Sequence, residues 1–263
     1  MSTTPALLRL SGVGRRFPGG RVALEGFDLD IRDGEFVSLL GPSGCGKSTA
    51  LRLLGGLDVP STGRVERSPA LADEIPGYVF QDPALLPWAS VRRNVALPLA
   101  LRGVPAAQAG PRVDAALAKV GLSDAADAVP RELSGGMRMR ASLARALVGA
   151  PRLWLLDEPF GALDEITRFA LNRLLLALCQ PGPAAATAVF VTHSVYEAVF
   201  LSHRIVVMAR PGRVVQEIGV DAPFPREDAF RASPTYAACC VEVSRALQRA
   251  SEVSTGGIEA GAS

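Results

Sequence analysis

Apolar and polar positions alternate along the N-terminal part of the chain. The stretches LLRLSGVGRRF and ALEGFDLDI have the short period typical of strands, with GG and DG turns between them. EFVSLL, from Glu35 to Leu40, is a short apolar run, which predicts a buried strand leading into a loop at Gly41. STALRLLGGL then has helical spacing and is stopped by Gly55 and Gly56.

The middle of the chain changes character at about Asp82. Up to Leu133 it is rich in alanine, arginine and leucine, and VDAALAKVGL has helical periodicity, which predicts a helical subdomain inserted into an α/β core. Helices and strands then alternate. ASLARALV, ITRFALNRLLLALC and YEAVFL are predicted helices, LWLLDEP, TAVFVTH and RIVVMA are predicted strands, and RVVQEI is a predicted hairpin partner.

A proline-rich stretch, DAPFPRED, begins at Asp221. Beyond it we predict a short amphipathic helix, because five residues share one helical face: Tyr236, Cys239, Cys240, Val243 and Leu247. The last segment, STGGIEAGAS, is predicted to be disordered.

Composition narrows the possible classes of protein. The 263 residues allow one large domain or two small ones, and a net charge of +2 is too balanced to favour nucleic acid as a partner. None of the four cysteines forms a C-x-x-C pair, which argues against zinc and favours reduced thiols in the cytosol. The N-terminus lacks the layout of a signal peptide, and no apolar run is long enough to span a bilayer, so any membrane association is expected to be peripheral.

The loop GPSGCGKST fits the pattern G-x-x-x-x-G-K-[ST] between a predicted strand and a predicted helix, which is the context of a P-loop. Glycines permit backbone conformations in which successive N–H groups point at phosphate oxygens. Lys47 would reach the β- and γ-phosphates, and the Ser48 hydroxyl would bind Mg²⁺. The predicted nucleotide contacts are Gly41, Pro42, Ser43, Gly44, Cys45, Gly46, Lys47, Ser48 and Thr49.

Two carboxylates end the predicted strand LWLLDEP. Asp157 is at the position of the usual second Mg²⁺ anchor of P-loop proteins. Glu158 follows it, and a carboxylate beside a γ-phosphate can orient or deprotonate the attacking water. The alternative is that both acids cap the helix that follows Pro159.

LSGGM, from Leu133 to Met137, is a second candidate phosphate site. A serine and two glycines precede a predicted helix, and Ser134 is suited to cap that helix. The two roles are compatible, because a capped helix directs its positive end at an anion.

Taken together, six elements resemble the nucleotide-binding subunit of ABC transporters over about residues 6–220: GPSGCGKST, Gln81 in VFQ, LSGGM, LLDEP, ALD from Ala162 to Asp164, and VTH ending at His193. The resemblance implies an α/β fold: a RecA-like P-loop NTPase core with an N-terminal antiparallel β-subdomain and an inserted α-helical subdomain. The implied domains are a cassette at 1–220, with the helical subdomain at about 82–140, and a short C-terminal extension at 221–263.

The resemblance also implies ATP hydrolysis with Mg²⁺ in a homodimer of head-to-tail cassettes. Ser134 and Gly136, with Gly135 between them, would contact the γ-phosphate of the ATP held by the partner's Lys47. This arrangement explains two phosphate sites in one chain, because each chain then supplies two half-sites. Asp164 would belong to the loop that crosses the dimer interface.

Three further positions take roles from the resemblance. Phe17 would stack on adenine, where the family often has tyrosine; the alternative is a phenylalanine of the core. Gln81 would touch Mg²⁺ and water, and His193 would contact the γ-phosphate, although a lone histidine is more often structural. The chain departs from the family pattern at Met137, at Arg138-Met139-Arg140 and at Ser194, but none of these departures removes a catalytic group.

Longer stretches narrow the resemblance. FQDPALLPWASVRRNVALPLALRG, DEPFGALDEITR and EAVFLSHRIVVMARPGR look like the nitrate, sulfonate, taurine and bicarbonate importer branch, which includes pyrimidine importers. This implies a peripheral subunit on the cytoplasmic face of the inner or plasma membrane, powering import of a small solute through a permease and served indirectly by a periplasmic or surface solute-binding protein. Leu85, Leu86 and Trp88 would receive the permease, unless they are core residues of the helical subdomain. The alternative functions are a soluble ABC ATPase not coupled to transport and an inactive regulator, which the intact Lys47 and Glu158 disfavour.

Overall fold

The computed structural model describes residues 6–72, 74–179 and 186–259. The chain divides into two compact units, the first formed by Met1–Asp73 and Thr187–Ser263 and the second by Glu74–Ala186. The second unit contains the helices predicted within 82–140, and it also carries two strands and a further long helix.

An antiparallel three-stranded sheet begins the first unit. It consists of β1 (Ala6–Arg16), β2 (Val22–Arg32) and β4 (Thr62–Arg67), in the order β2-β1-β4. Leu8 pairs with Ile31 and Leu10 with Leu29, and all four side chains are buried, so the alternation in the sequence corresponds to one buried face. The sequence pattern does not predict β4, because no side chain of TGRVER is buried and the segment therefore lacks an apolar period.

The first unit has a second group of strands, which includes β3 (Phe36–Leu40). Strand β3 pairs in parallel with β7 (Thr187–Thr192) on one side and with β8 (Arg204–Ala209) on the other. Every residue of β3 and β7 is buried, which explains why both are rich in apolar residues. Strand β9 (Arg213–Gly219) pairs antiparallel with β8, as the sequence predicts. Helix α1 (Lys47–Leu54) follows β3, and α6 (Val195–Leu201) follows β7.

Helices α7 (Asp228–Arg231) and α8 (Pro234–Glu259) form the C-terminal part of the first unit. The sequence predicts a short helix and disorder from Ser254, but α8 continues to Glu259, and residues 260–263 lie outside the described part. The difference arises because the buried stripe of α8 extends from Val243 through Ala246 and Ala250 to Ser254, at helical spacing.

The second unit pairs a short strand β5 (Gly77–Val79) in parallel with β6 (Leu153–Asp157). Its helices are α2 (Val91–Leu101), α3 (Ala106–Lys119), α4 (Gly135–Leu147) and α5 (Glu165–Cys179). Helix α2 packs against α3 and α4, and α4 packs against β5 and α5. In the described ranges, no helix combines the length and the apolar character that crossing a bilayer requires.

Candidate functional site

The loop between β3 and α1 is shaped by its glycines. Gly44 and Gly46 have φ values of 76° and 100°, which disfavour any other residue. A Cβ atom at Gly46 would lie 2.4 Å from the Ala23 carbonyl oxygen, and one at Gly41 would lie 2.4 Å from that of Met208. The loop is therefore closely packed on its outer side and has no space for side chains there.

Lys47 is buried and folds back over this loop. Its Nζ atom donates to the carbonyl oxygens of Gly41 at 2.8 Å and Pro42 at 3.3 Å. No side chain caps the N-terminus of α1, where Gly46 is the N-cap residue, so the positive end of the helix faces the same loop. A cation, a helix N-terminus and a glycine-lined turn together fit the phosphates of a nucleotide.

Cys45 lies inside the loop with its side chain fully buried. Burial raises the pKa of its thiol, which disfavours the reactive thiolate. All four cysteines are free, in agreement with the expected reduced thiols, and the described residues hold no cluster of histidine, cysteine and acidic side chains fit for a metal. A magnesium site of hydroxyl, carboxylate and phosphate oxygens, as the sequence predicts for Ser48 and Asp157, would not require such a cluster.

His193 directly follows β7 and is exposed. The turn behind it is fixed by two contacts of Thr192, whose hydroxyl donates to Glu197 at 2.6 Å and accepts the backbone N–H of Ser194 at 3.0 Å. The other histidine has a different role. The Nδ1 atom of His203 accepts the backbone N–H of Phe36 at 3.0 Å, where it ties the start of β3 to the loop before β8.

Phe17 lies in the turn between β1 and β2 and is half-buried, so it is not a residue of the core. The guanidinium groups of Arg15 and Arg21 lie 4.8 and 4.9 Å from the centre of its ring. Arg15 is itself held by an ion pair with Asp58 at 2.8 Å. The ring therefore lies in a polar, cationic environment. This environment is compatible with binding a nucleotide and differs from that of a phenylalanine in a hydrophobic core.

In the second unit, Asp157 ends β6, and the four residues before it are buried. Glu158 follows with φ at 46°, a left-handed conformation that is unfavourable for glutamate. Neither acid caps the next helix, because α5 begins only at Glu165. Asp164 caps it instead, accepting the backbone N–H of Thr167 at 2.9 Å, and this bond lowers the pKa of Asp164.

Ser134 is the N-cap residue of α4, and its hydroxyl accepts the backbone N–H of Met137 at 3.2 Å. A Cβ atom at Gly136 would lie 2.8 Å from Thr167, and one at Gly135 would lie 3.3 Å from Leu163. The glycines of LSGGM therefore allow α4 to lie against the segment that contains Asp164. The structure brings these two predicted elements together.

Gln81 is exposed just beyond β5, and the segment that follows it is held by two side chains. The buried Asn94 accepts the N–H of Leu86 at 2.7 Å and donates to the carbonyl of Ala89 at 3.0 Å. Arg145 of α4 donates to the carbonyls of Pro83 and Ala84, both at 2.7 Å. Sequence reasoning missed both residues, because nothing in their local pattern marks a contact with this segment.

Beside this segment the second unit has an apolar groove of about 400 Å³. Leu85 and Leu86 are half-buried, whereas Trp88 is 77% exposed and therefore is not a core residue. Leu101 and Ile75, which line the groove, are 80% and 58% exposed. Its main lining residues are Ile75, Tyr78, Phe80, Leu97, Leu101 and Arg145. Such large exposed apolar side chains are typical of an interaction surface.

Comparison with known proteins identifies the family. The protein-family model described as ABC transporter matches residues 24–161. A putative ATP-binding protein of Brucella abortus (strain 2308) is 46% identical over 229 residues, which cover 84% of this chain and 85% of that protein. The chain belongs to the ABC transporter family. It is an ATP-binding subunit with ATPase activity, as the sequence predicts.

Other relatives of this ABC cassette agree. An aliphatic sulfonates import ATP-binding protein of Rhodopseudomonas palustris is 44% identical over 254 residues, covering 95% of this chain and 86% of that protein. Another from Mycobacterium sp. (strain MCS) is 49% identical over 223 residues, covering 84% and 86%. The dimeric structure of the cassette MJ0796 bound to ADP and Pi has a TM-score of 0.72 at 31% identity, over 82% of this chain and all of that one. The predicted fold class and importer branch are confirmed.

Proposed function

We propose that this cassette hydrolyses ATP to power import of an aliphatic sulfonate or a similar small anion through a membrane permease. The identity of 44% to 49% with aliphatic sulfonates import proteins over most of their length supports this solute class. Nitrate, taurine and pyrimidine precursors are the related solutes that the sequence also allows. The cassette itself would not select the solute, since that falls to the permease and a solute-binding protein outside the cell membrane.

In the proposed reaction Lys47 binds the β- and γ-phosphates at the glycine-rich loop between β3 and α1. Ser48 and Asp157 would hold Mg²⁺, which neutralises phosphate charge, and Gln81 would contact it. Glu158 orients and deprotonates the attacking water, and His193 contacts the γ-phosphate. The exposed position of His193 directly after the buried strand β7, and the left-handed backbone of Glu158, support these roles.

The active assembly is proposed to be a homodimer in which Ser134, Gly135 and Gly136 serve the ATP bound by the partner subunit. The dimeric cassette bound to ADP and Pi supports this assembly. Within this chain, the N-terminus of α4 and the Asp164 segment lie together, as expected for two elements that share one interface.

The permease is proposed to dock a short apolar segment in the groove beside the Gln81 loop, near Leu85, Leu86 and Trp88. The exposed side chains of Trp88 and Leu101 support an apolar partner, since burying either of them removes a large apolar area from water. The cassette would then lie peripherally on the cytoplasmic face of the membrane.

A mixing experiment tests the two-chain site. Lys47→Ala removes phosphate binding in the P-loop, and Ser134→Arg blocks the face at LSGGM, so each homodimer has two broken sites and should be nearly inactive. A mixed dimer has one site with both faults and one intact site, so mixing the inactive proteins should restore part of the ATPase activity. A Glu158→Gln protein that binds ATP tightly yet remains monomeric in light scattering would refute the dimer.

A second experiment separates the importer from a soluble ABC ATPase not coupled to transport. Extraction of membranes with mild detergent and purification through a tag on this chain should recover a multi-span membrane protein. Trp88→Ala should lose that protein while retaining ATP binding. Recovery of the cassette without any membrane protein would favour the soluble ATPase.

A further inference from the structure

The loop after β8 contacts the P-loop, although it belongs to a different part of the sequence. The backbone carbonyl of Met208 closes off the position of Gly41, as described above. Arg210, two residues later, directs its guanidinium at the carbonyl oxygen of Ser43, with Nε at 3.0 Å. Its terminal nitrogen donates to the same oxygen and would lie 2.9 Å from a Cβ atom at Gly44.

The contact with Ser43 fixes the direction of a neighbouring N–H group. The carbonyl of Ser43 and the N–H of Gly44 belong to one planar trans peptide, so they point in opposite directions. When Arg210 holds the Ser43 oxygen on the outer side, the Gly44 N–H must point away from Arg210. The left-handed φ of 76° at Gly44 belongs to the kind of turn that gathers successive N–H groups around an anion.

Arg210 is in turn attached to the C-terminal helix. Its backbone N–H donates to the hydroxyl of Ser254 at 2.9 Å. Ser254 is buried, and its own hydroxyl donates to the Ala250 carbonyl at 2.7 Å, which fixes it on α8. The chain of contacts runs from Ser254 through Arg210 to Ser43, and all three residues lie in the first unit.

We propose that Arg210 is a positioning residue for the P-loop, and that Ser254 of the C-terminal helix holds Arg210 in place. The C-terminal extension would thereby set the affinity of the cassette for nucleotide. This inference rests on the proposed role of the P-loop in binding phosphate. It assigns no chemistry to Arg210, whose contacts are with the loop backbone.

The test measures binding of ADP with Mg²⁺ by titration calorimetry, and kcat and KM for ATP, on the full-length chain. Arg210→Gln should weaken binding and raise KM by roughly three- to tenfold, the value of one net hydrogen bond. The value of kcat should change less than twofold, because no reacting group is removed. Arg210→Lys, which retains one donor and the charge, should give an intermediate KM.

Arg213→Gln is the matched control. It removes the same charge from the same hairpin, but Arg213 pairs with Glu25 rather than with the P-loop. Equal effects of Arg210→Gln and Arg213→Gln would show a general effect of charge and overturn the proposal. An unchanged affinity in a folded Arg210→Gln protein would also overturn it.

The serine link has its own pair of variants, which apply even if Arg210→Gln fails to fold. Ser254→Ala should weaken nucleotide binding about threefold, whereas Ser251→Ala, at an exposed position on the same helix, should not. Equal binding by these two variants would overturn the link to α8. Lys47→Ala separates the role of the P-loop from that of Arg210. If this variant binds nucleotide normally, the proposed role of the P-loop fails. If it does not, a normal Arg210→Gln protein refutes only the positioning role.

Discussion

Asn94→Ala is the sharpest test of how the segment after Gln81 is held. Asn94 is fully buried in α2, and its amide makes four contacts with the backbone. Its Oδ1 atom accepts from Leu86 at 2.7 Å, and Nδ2 lies 3.0 to 3.2 Å from three carbonyl oxygens, those of Leu86, Ala89 and Ser90. Alanine removes all four contacts and leaves a cavity.

The expected loss follows from these contacts. The Ser90 carbonyl keeps its helical bond from the backbone N–H at position 94, so it is not orphaned. The Leu86 N–H and the Ala89 carbonyl lose the Asn94 side chain, and each buried group left without a partner costs about 1–3 kcal/mol. For two such groups the free energy of unfolding should fall by about 2–6 kcal/mol, with the lower part of this range applying where water enters the cavity.

Tryptophan fluorescence during urea unfolding measures this loss. Both tryptophans lie in the second unit, and Trp154 is 1% exposed, so its emission changes when that unit unfolds. Arg93→Ala is the control, because Arg93 is the exposed neighbour of Asn94 on the same helix and should change stability by less than about 0.5 kcal/mol. Equal small losses in both variants would refute the reasoning.

Asn94→Asp tests the direction in which stability changes with pH. Its carboxylate can still accept from Leu86, but its second oxygen faces carbonyls that need a donor, which raises the pKa of the new acid in the folded state. A group with a raised folded pKa stabilises below its unfolded pKa and loses that contribution as pH rises through the folded value. Relative to the native protein, this variant should therefore regain stability between pH 7 and pH 5, whereas Asn94→Ala should not.

Three further predictions address the nucleotide, the permease and pH. Phe17→Ala should weaken ATP binding about three- to tenfold without changing Tm, since stacking is worth roughly 0.5–1.5 kcal/mol; unchanged affinity would remove Phe17 from the site. Trp88→Ala should lower permease-stimulated ATP hydrolysis more than the basal rate of the isolated subunit; equal losses would point to packing. Burial, with the nearby charge of Arg226, lowers the pKa of His203 in the folded protein. The contribution of neutral His203 to the free energy of unfolding is therefore complete above the pKa of the unfolded state, about 6.5, and falls on acidification. His203→Asn retains an acceptor for the backbone N–H of Phe36. Denaturation at pH 7.5 and 5.5 should show that this variant loses less unfolding free energy on acidification than the native protein does; identical losses would contradict this.

The sequence predicts well the parts of the fold whose signals are local. Strands β3, β6 and β7 are mostly apolar because almost all of their residues are buried, and the P-loop glycines have a pattern that backbone geometry requires. Strand β5 was missed because three residues are too few to show a period. The Asn94 and Arg210 contacts were missed because they join residues that only tertiary structure brings together, and their partners are backbone carbonyls, which every residue has.

The structure removes one of the two interpretations of Glu158 that the sequence left open. An acid after a strand can cap the next helix or serve the reaction, and both are compatible with LLDEP. Asp164 performs the capping, so the capping role does not account for Glu158. Its left-handed backbone would be adopted without strain by glycine, and a non-glycine residue there costs roughly 1–2 kcal/mol. A carboxylate kept at such a position, against the local preference of the backbone, is explained if its oxygens are needed by the reaction.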